Sequence, residues 1–336
     1  MSCFNPLLML RKKKLTRNSN GDIETEYVYQ FLDHHPGYGP DGEIATWSPE
    51  GDILKVRCGK CIGCLLDRSR MWADRCMLEM QYHESNLFVT LTYDDLHVPV
   101  SYYGHPDTGE AFPSLTLDRR DVQLFMKRLR KRTGQKIRYF GSGEYGSNTF
   151  RPHYHMIMFG LKLDDLELVG RSGSGHQYYT SPLLVDCWGK GFVSVAEATW
   201  ETAAYTARYV QKKAGQVDPE FYKTYNIVPE FSMMSTHPGI GRQYYDDHRD
   251  EIYEHQEIYV STKSGGRKIR PPAYYDRLYD LECPEEMADI KELRLQLAEA
   301  RNRSRLTRTD LTEEELNSVL EDYKKSSAKK LIRNTL

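Results

Sequence analysis

Two β-type runs, IRYFGSGEY (137–145) and HYHMIMFG (153–160), flank the turn-rich stretch GSNTFRP, and this constrains the fold more than any other feature. A connection of about seven residues makes them adjacent antiparallel strands. Other elements arrange themselves around that pair. Leu65, Leu66, Met71, Trp72, Met77 and Met80 recur on one side of a helix from Cys61 to Tyr82. LFVTLTY (87–93) reads as a central strand, and a second helix begins after Thr116-Leu117-Asp118 and stops at Gly134. Its Val122, Phe125, Met126 and Leu129 face inward. A short strand over 192–196 precedes a third helix, WETAAYTARYVQKKAG (200–215).

The expected fold is α+β: an antiparallel sheet with helices packed on one face, a Cys-rich N-terminal knuckle and a helical C-terminal tail. Residues 1–57 read as loops with a few short strands, and 161–192 as a polar connection. Residues beyond the third helix include a hairpin-like stretch around STKSGGRK, and 284–336 read as charged helices outside the main fold. Three segments follow: 1–84, an 85–283 core, and 284–336.

The hydrophobic fraction of 39% and charged fraction of 28% exclude wholesale disorder. No apolar run approaches the roughly 18–20 residues of a membrane span. The N-terminus lacks the order of a secretory signal, so the chain is expected to stay in a reducing compartment. A net charge of −2 conceals a local excess. Between Arg119 and Arg138 lie Arg119, Arg120, Lys127, Arg128, Arg130, Lys131, Arg132, Lys136 and Arg138 against the one acid Asp121, an anion-binding surface.

His153-Tyr154-His155 is the only His-x-His in the chain, and strand alternation projects both imidazoles from one face. Such a motif arises by chance in roughly one chain in three at this histidine content, and its plain alternative is a pair of half-exposed strand histidines. Glu144, nine residues upstream, comes beside His153 across the hairpin. Two imidazoles, a carboxylate and open positions suit Mg²⁺ or Mn²⁺ on a phosphate. Asp94 or Asp95 could replace Glu144 as a ligand.

Tyr205 and Tyr209 share a helix face, and each has a cation three residues on, Arg208 and Lys212, with Lys213 following. A phenol attacks phosphorus only when a base or cation holds the phenolate and a metal polarises the phosphate. The bland alternative is an amphipathic helix with two core aromatics. Cys58-Gly-Lys-Cys61-Ile-Gly-Cys64 gives three thiols at knuckle spacing, a structural zinc site or, in the rival reading, an iron–sulfur cluster. Cys76, Cys3 or His83 could supply the fourth ligand.

In this order FVTLTYDD (88–95), Glu144, RPHYHMIMFG (151–160) and YTARYVQKK (205–213) resemble the successive motifs of the HUH superfamily of rolling-circle replication initiators. With CGKCIGC and THPGIG added, the chain resembles the replication-associated proteins of gokushovirus-type microviruses, small single-stranded DNA phages, over about residues 55–280.

The resemblance implies a metal-dependent endonuclease that nicks and rejoins single-stranded origin DNA through a 5′-phosphotyrosine. His153, His155 and Glu144 would hold Mg²⁺ or Mn²⁺, Tyr205 or Tyr209 would attack, and Arg208 and Lys212 would steady the phenolates or phosphates. Arg119, Arg120, Lys127, Arg128, Arg130, Lys131, Arg132, Arg151 and Lys213, with Lys190 as a further candidate, would contact DNA. No G-x-x-x-x-G-K-[ST] is present, so a host helicase and a host polymerase would be partners, in the cytoplasm of the bacterial host. Two other readings stand beside it: a non-catalytic nucleic-acid-binding protein with a zinc knuckle, and an HUH relaxase or transposase.

Overall fold

The computed structural model describes the chain except residues 1–2, 18–19, 21, 33, 40, 105–106, 147–148, 172–176, 214–218, 263–264 and 333–336, and except the side chains of 24, 208–213, 219, 261–262 and 329–332. The first stretch holds β1 (Leu7–Arg17), β2 (Ile23–Phe31), β3 (Trp47–Ser48) and β4 (Gly51–Val56). Next come α1 (Ile62–Met80), β5 (Asn86–Tyr93), β6 (Val100–Gly104), β7 (Ala111–Leu115), α2 (Arg119–Thr133), β8 (Arg138–Tyr145) and β9 (Pro152–Phe159). They are followed by β10 (Glu167–Arg171), β11 (Gln177–Thr180), α3 (Pro182–Trp188), β12 (Gly191–Glu197), α4 (Trp200–Lys213) and α5 (Pro219–Thr224). The chain ends with β13 (Phe231–Met234), α6 (Arg242–His255), β14 (Ile258–Thr262), β15 (Gly265–Ile269), α7 (Ala273–Glu282), α8 (Pro284–Leu306) and α9 (Glu313–Ile332). No helix among the described residues is long and apolar enough to cross a membrane.

Two compact units emerge, one of residues 1–67 with 280–333 and one of 68–279. The N-terminal segment and the charged tail, read separately in the sequence, thus belong to one unit. Residues 1–57 are not mostly loop: they build a four-stranded sheet in the order β2-β1-β4-β3. The tail is tied to that sheet rather than lying outside the fold. Glu313 at the start of α9 accepts from the Ile44 amide at 2.9 Å and pairs with Lys55 at 2.7 Å, and Glu321 accepts from Asn5.

The larger unit is built on a seven-stranded antiparallel sheet, β10-β11-β12-β5-β9-β8-β13. Helices cover both of its faces, not one. Residues of odd number in β5 and even number in β9 (Val89, Leu91, Tyr93, Tyr154, Met156, Met158) pack with α2 through Val122, Phe125, Met126 and Leu129, and with α3 through Leu184 and Trp188. The alternate residues (Phe88, Ile157, Phe159), with Phe140, pack beneath Ala73 and Cys76 of α1 and Ala203, Ala204 and Ala207 of α4. β8 and β9 are almost wholly buried, so a second helical layer must cover the face that the apolar pattern of α2 leaves open. The 161–192 connection likewise contains β10, β11 and α3, whose Leu184, Cys187 and Trp188 are buried.

Local signals fix the element ends. Asp118 caps α2 by accepting from the Arg120 amide at 2.7 Å, and Gly134 closes it in the left-handed region at φ 68°. Tyr154, on the face away from the two histidines, donates to the Asp118 carbonyl and accepts its amide, so the cap is locked to the middle of the sheet.

On the other face Glu79 joins α1 to β8 and to the start of α6. It pairs with Arg138, contacts His83 Nε2 at 3.1 Å and accepts from the Gly241 amide at 2.7 Å. Burial raises its carboxyl pKa, but these donors outweigh burial and hold it below the ordinary glutamate value of 4.5. Its stabilising contribution is therefore complete above pH 4.5 and lost as pH falls further. Glu79→Gln is expected to lower unfolding stability by about 2–3 kcal/mol at pH 7. In urea titrations the gap to wild type should narrow as the pH falls below 4.5.

Candidate active site and metal centres

Strand register builds the first cluster. Glu144 on β8 lies directly opposite His153 on β9, and Ser142 opposite His155. On the other side β5 places Thr90 opposite His155 and Thr92 opposite His153. Both histidine Nε2 atoms lie 2.8 Å from Glu144 Oε1. His155 is 6% exposed and Glu144 2%, whereas His153 is half-buried and faces the open end of the site.

The protons of this cluster are constrained. His153 Nδ1 lies 3.1 Å from the Arg151 carbonyl, which can only accept, so Nδ1 carries the proton. In a neutral ring the Nε2 lone pair then faces a carboxylate oxygen at 2.8 Å, an arrangement that needs a proton or a cation between them. His155 Nδ1 is held by Thr90 Oγ1 at 2.9 Å, and Phe88 stacks on its ring at 5.4 Å. Glu144 Oε2 is buried and has no hydrogen-bond partner among the described residues. Adjacent ligands around an octahedral ion with bonds of about 2.1 Å sit about 3.0 Å apart. The donor spacing and the orphaned oxygen both fit a hard divalent cation held by Glu144, His153 and His155.

Burial raises the Glu144 pKa, yet the two histidines outweigh it and hold the carboxylate low. Burial lowers the His155 pKa, against the pull of Glu144, and favours the neutral imidazole that a metal requires.

Asp94 and Asp95 are engaged elsewhere. Asp94 accepts from the Leu96 and His97 amides and pairs with the His97 ring at 2.7 Å, while Asp95 pairs with Arg151. Arg151 also gives Nε and Nη2 to the Tyr93 carbonyl, clamping the β5 end beside the cluster. Lys190 pairs with the buried Asp121 at 3.1 Å.

Helix α4 lies over the histidine face. Ala203, Ala204, Thr206 and Ala207 are buried, and small side chains let the helix sit close to the sheet. The Tyr205 ring stands edge-on to His155 at 5.1 Å and to Phe88 at 6.2 Å. Tyr209 is one helical turn further on; its side chain, with those of Arg208, Lys212 and Lys213, lies outside the described residues.

The basic helix α2 occupies the opposite face of the sheet from this cluster. Several of its cations serve the fold. Arg128 donates to the Cys187 and Trp188 carbonyls at the end of α3, Arg130 to the Ile137 carbonyl, Arg132 pairs with Asp186, and Arg119 lies over Phe231. Arg120, Lys127 and Lys131 are exposed.

The second cluster is Cys3, Cys58, Cys61 and Cys64. Cys3 supplies the fourth thiol, whereas Cys76 is buried between α1 and the large sheet and His83 contacts Glu79. The Sγ of Cys3 is 3.6 Å from Cys58 and 3.9 Å from Cys61, and Cys58 is 4.0 Å from Cys64. Tetrahedral zinc with Zn–S near 2.3 Å sets sulfurs about 3.8 Å apart. Amides of Phe4, Cys58, Lys60 and Cys61 donate to these sulfurs. Burial raises the Cys61 thiol, but backbone donors, from Cys64 and Phe4 first, outweigh it and bring its pKa to about 7.

Residues 86–214, from β5 through α4, match the family described as replication-associated protein ORF2. The chain is 36% identical over 268 residues to the replication-associated protein ORF2 of Spiroplasma virus 4, covering 77% of this chain and 79% of that one. It belongs to the family of phage replication-associated proteins. A second relative, the replication-associated protein VP4 of Bdellovibrio phage phiMH2K, is 30% identical over 80% of this chain and 83% of its own length. The replication-associated protein ORF4 of Chlamydia phage 1 is 37% identical over 46% of this chain and 38% of its own. No solved structure matches. The family match spans every residue of the first cluster together with Tyr205, and leaves the cysteine cluster outside it.

Thr90 and Phe88, which hold His155 in place, were not singled out in the sequence, although they share parity within LFVTLTY. Removing such a supporting hydrogen bond usually costs about 10- to 100-fold in metal affinity. Thr90→Val is therefore expected to weaken Mn²⁺ binding by about that factor in calorimetric titration, with the circular dichroism spectrum unchanged.

Proposed function

We propose that this phage replication-associated protein is an HUH-type DNA strand transferase that initiates rolling-circle replication by nicking single-stranded viral origin DNA. The observation that carries the reading is the Tyr205 ring against His155 of the Glu144–His153–His155 cluster. A bound Mg²⁺ or Mn²⁺ would supply Lewis acidity toward the scissile phosphate.

The chain's own residues do the rest. Tyr205 Oη attacks phosphorus: the Oη–P bond forms, the P–O3′ bond breaks, the phenol proton leaves to solvent and the departing 3′-oxygen is protonated. The protein then holds the 5′-phosphate, and the free 3′-OH primes a host polymerase, with a host helicase opening the duplex. Reversal rejoins the strand. Tyr209 is the second nucleophile, which cleaves the regenerated origin while Tyr205 retains the old end, and Arg208 and Lys212 steady the phenolates. Thr90 and the Arg151 carbonyl keep the histidine rings in their ligating orientation.

Exposed cations of α2, among them Arg120, Lys127 and Lys131, would track DNA phosphates away from the cleavage point, since α2 lies across the sheet from the cluster. The four cysteines hold a structural Zn²⁺, supported by their number, spacing and amide donors. The reading places the protein in the bacterial host cell's cytoplasm.

Purified protein with Mn²⁺ and a labelled single-stranded origin oligonucleotide is expected to give a boil-resistant protein–DNA adduct. The adduct should fall at least about 100-fold in Tyr205→Phe and vanish in Tyr205→Phe/Tyr209→Phe and without divalent metal. DNA binding with no adduct in any metal would replace this reading by the non-catalytic one.

Metal analysis of the purified chain is expected to find about one zinc per molecule, lost in Cys3→Ser together with several degrees of melting temperature. Iron with visible absorbance would instead identify a cluster.

A further inference from the structure

The four-stranded sheet of residues 7–56 has two unlike faces. Directly opposed residues share a face, so the register assigns them. Arg11 lies opposite Tyr29 and Asp52, Lys13 opposite Tyr27, Met9 opposite Phe31, Arg17 opposite Ile23, and Trp47 opposite Asp52. One face therefore carries Tyr27, Tyr29, Phe31 and Trp47 with Arg11, Lys13 and Arg17.

The other face is closed. Leu10 and Ile53 are buried there, Lys55 pairs with Glu313 of α9, and Lys12 and Lys14 pair with Glu50 and Glu26. The aromatic face is open: Tyr27 is 47% exposed, Tyr29 54%, Phe31 56% and Trp47 66%. Four large rings left in water on one side of a small sheet are a binding surface rather than scattered exposure.

We propose that this face is a stacking platform for single-stranded DNA, built from residues other than those of the cleavage site. Alternate residues on β2 are about 6.8 Å apart, about twice the 3.4 Å rise of stacked bases. Tyr27, Tyr29 and Phe31 can thus each take one base of a stretched strand, as aromatic sheet faces do in single-strand binders. Charge decides the occupant. The acid on this face, Asp52, is paired with Arg11 at 2.8 Å, and among the described residues Lys13 makes no ion pair. The Arg11 guanidinium lies 5.1 Å from the centre of the Tyr27 ring, where it can hold a phosphate beside a stacked base. A second copy of the chain on this face would oppose like charges; a polyanion with exposed bases fits both features.

The inference rests on the proposed function only for DNA as the strand. Its test measures full-length protein binding a fluorescent oligo(dT) of about 20 nucleotides without added divalent metal, beside an abasic strand of equal length. Oligo(dT) is expected to bind at least about tenfold more tightly than the abasic strand. Tyr27→Ala/Tyr29→Ala should lose roughly tenfold or more, Tyr27→Phe/Tyr29→Phe should keep wild-type affinity, and Lys13→Ala should reduce the salt slope by about one. Equal binding of the two strands, or unchanged affinity in the alanine variant, overturns the platform. So does an alanine variant altered only in sedimentation, which would mark a self-association face. Adduct formation on a short origin oligonucleotide is assayed alongside: its absence with intact oligo(dT) binding overturns the nuclease reading alone.

Discussion

A carboxylate buried at 2% exposure beside two imidazoles cannot persist as a bare ion, and the larger unit is arranged around that constraint. Glu144 stays ionised because His153 and His155 each bring a ring nitrogen to 2.8 Å from one of its oxygens, and the other oxygen is left to a cation. That geometry demands two neighbouring strands in one register, flanked by a third that supplies Thr90. A slip of one residue between β8 and β9 would send Glu144 and the histidines to opposite faces. Burial of β8 and β9 on both sides makes such a slip costly, so the packing of the sheet protects the cluster.

The two faces of the large sheet have different tasks. One is structural, held by the Tyr154–Asp118 lock and the arginines of α2 that cap α3. The other carries Glu144 and the histidines beneath α4, whose alanines bring its backbone near and so set Tyr205 against His155. A bulky residue at Ala204 or Ala207 would lift the helix and separate the phenol from the histidines without touching either. In the smaller unit the same logic appears with a different filler: too few apolar residues surround Cys3 and the knuckle to hold it alone, and four thiols at tetrahedral spacing provide the cross-link.

The readings that succeeded rest on short-range periodicity. The two-residue period within HYH and a tight connection put His153, His155 and Glu144 together, and the family match covers the segment that carries them. Asp118 and Gly134 were legible as caps because capping is decided by the residue itself. Where the sequence misled, the cause was an interaction across many residues. The β1 run LLMLRKKKLTR is too basic to look like a strand until β2 and β4 pair with it, and the 161–192 stretch looks like loop because β10 is largely exposed.

By itself the amino-acid sequence determined the elements of the core, the shared face of the two histidines, the Glu144 partner and the three-thiol knuckle, since each depends on neighbours within one turn, strand or hairpin. Tertiary structure alone decided that Cys3 completes the thiol set from 55 residues away, that α2 sits across the sheet from the histidines, and that the tail joins the N-terminal sheet. A helix's apolar stripe says that it packs and not on which face, and a distant thiol or carboxylate meets its partners only after the intervening chain has paid its closure entropy and folded.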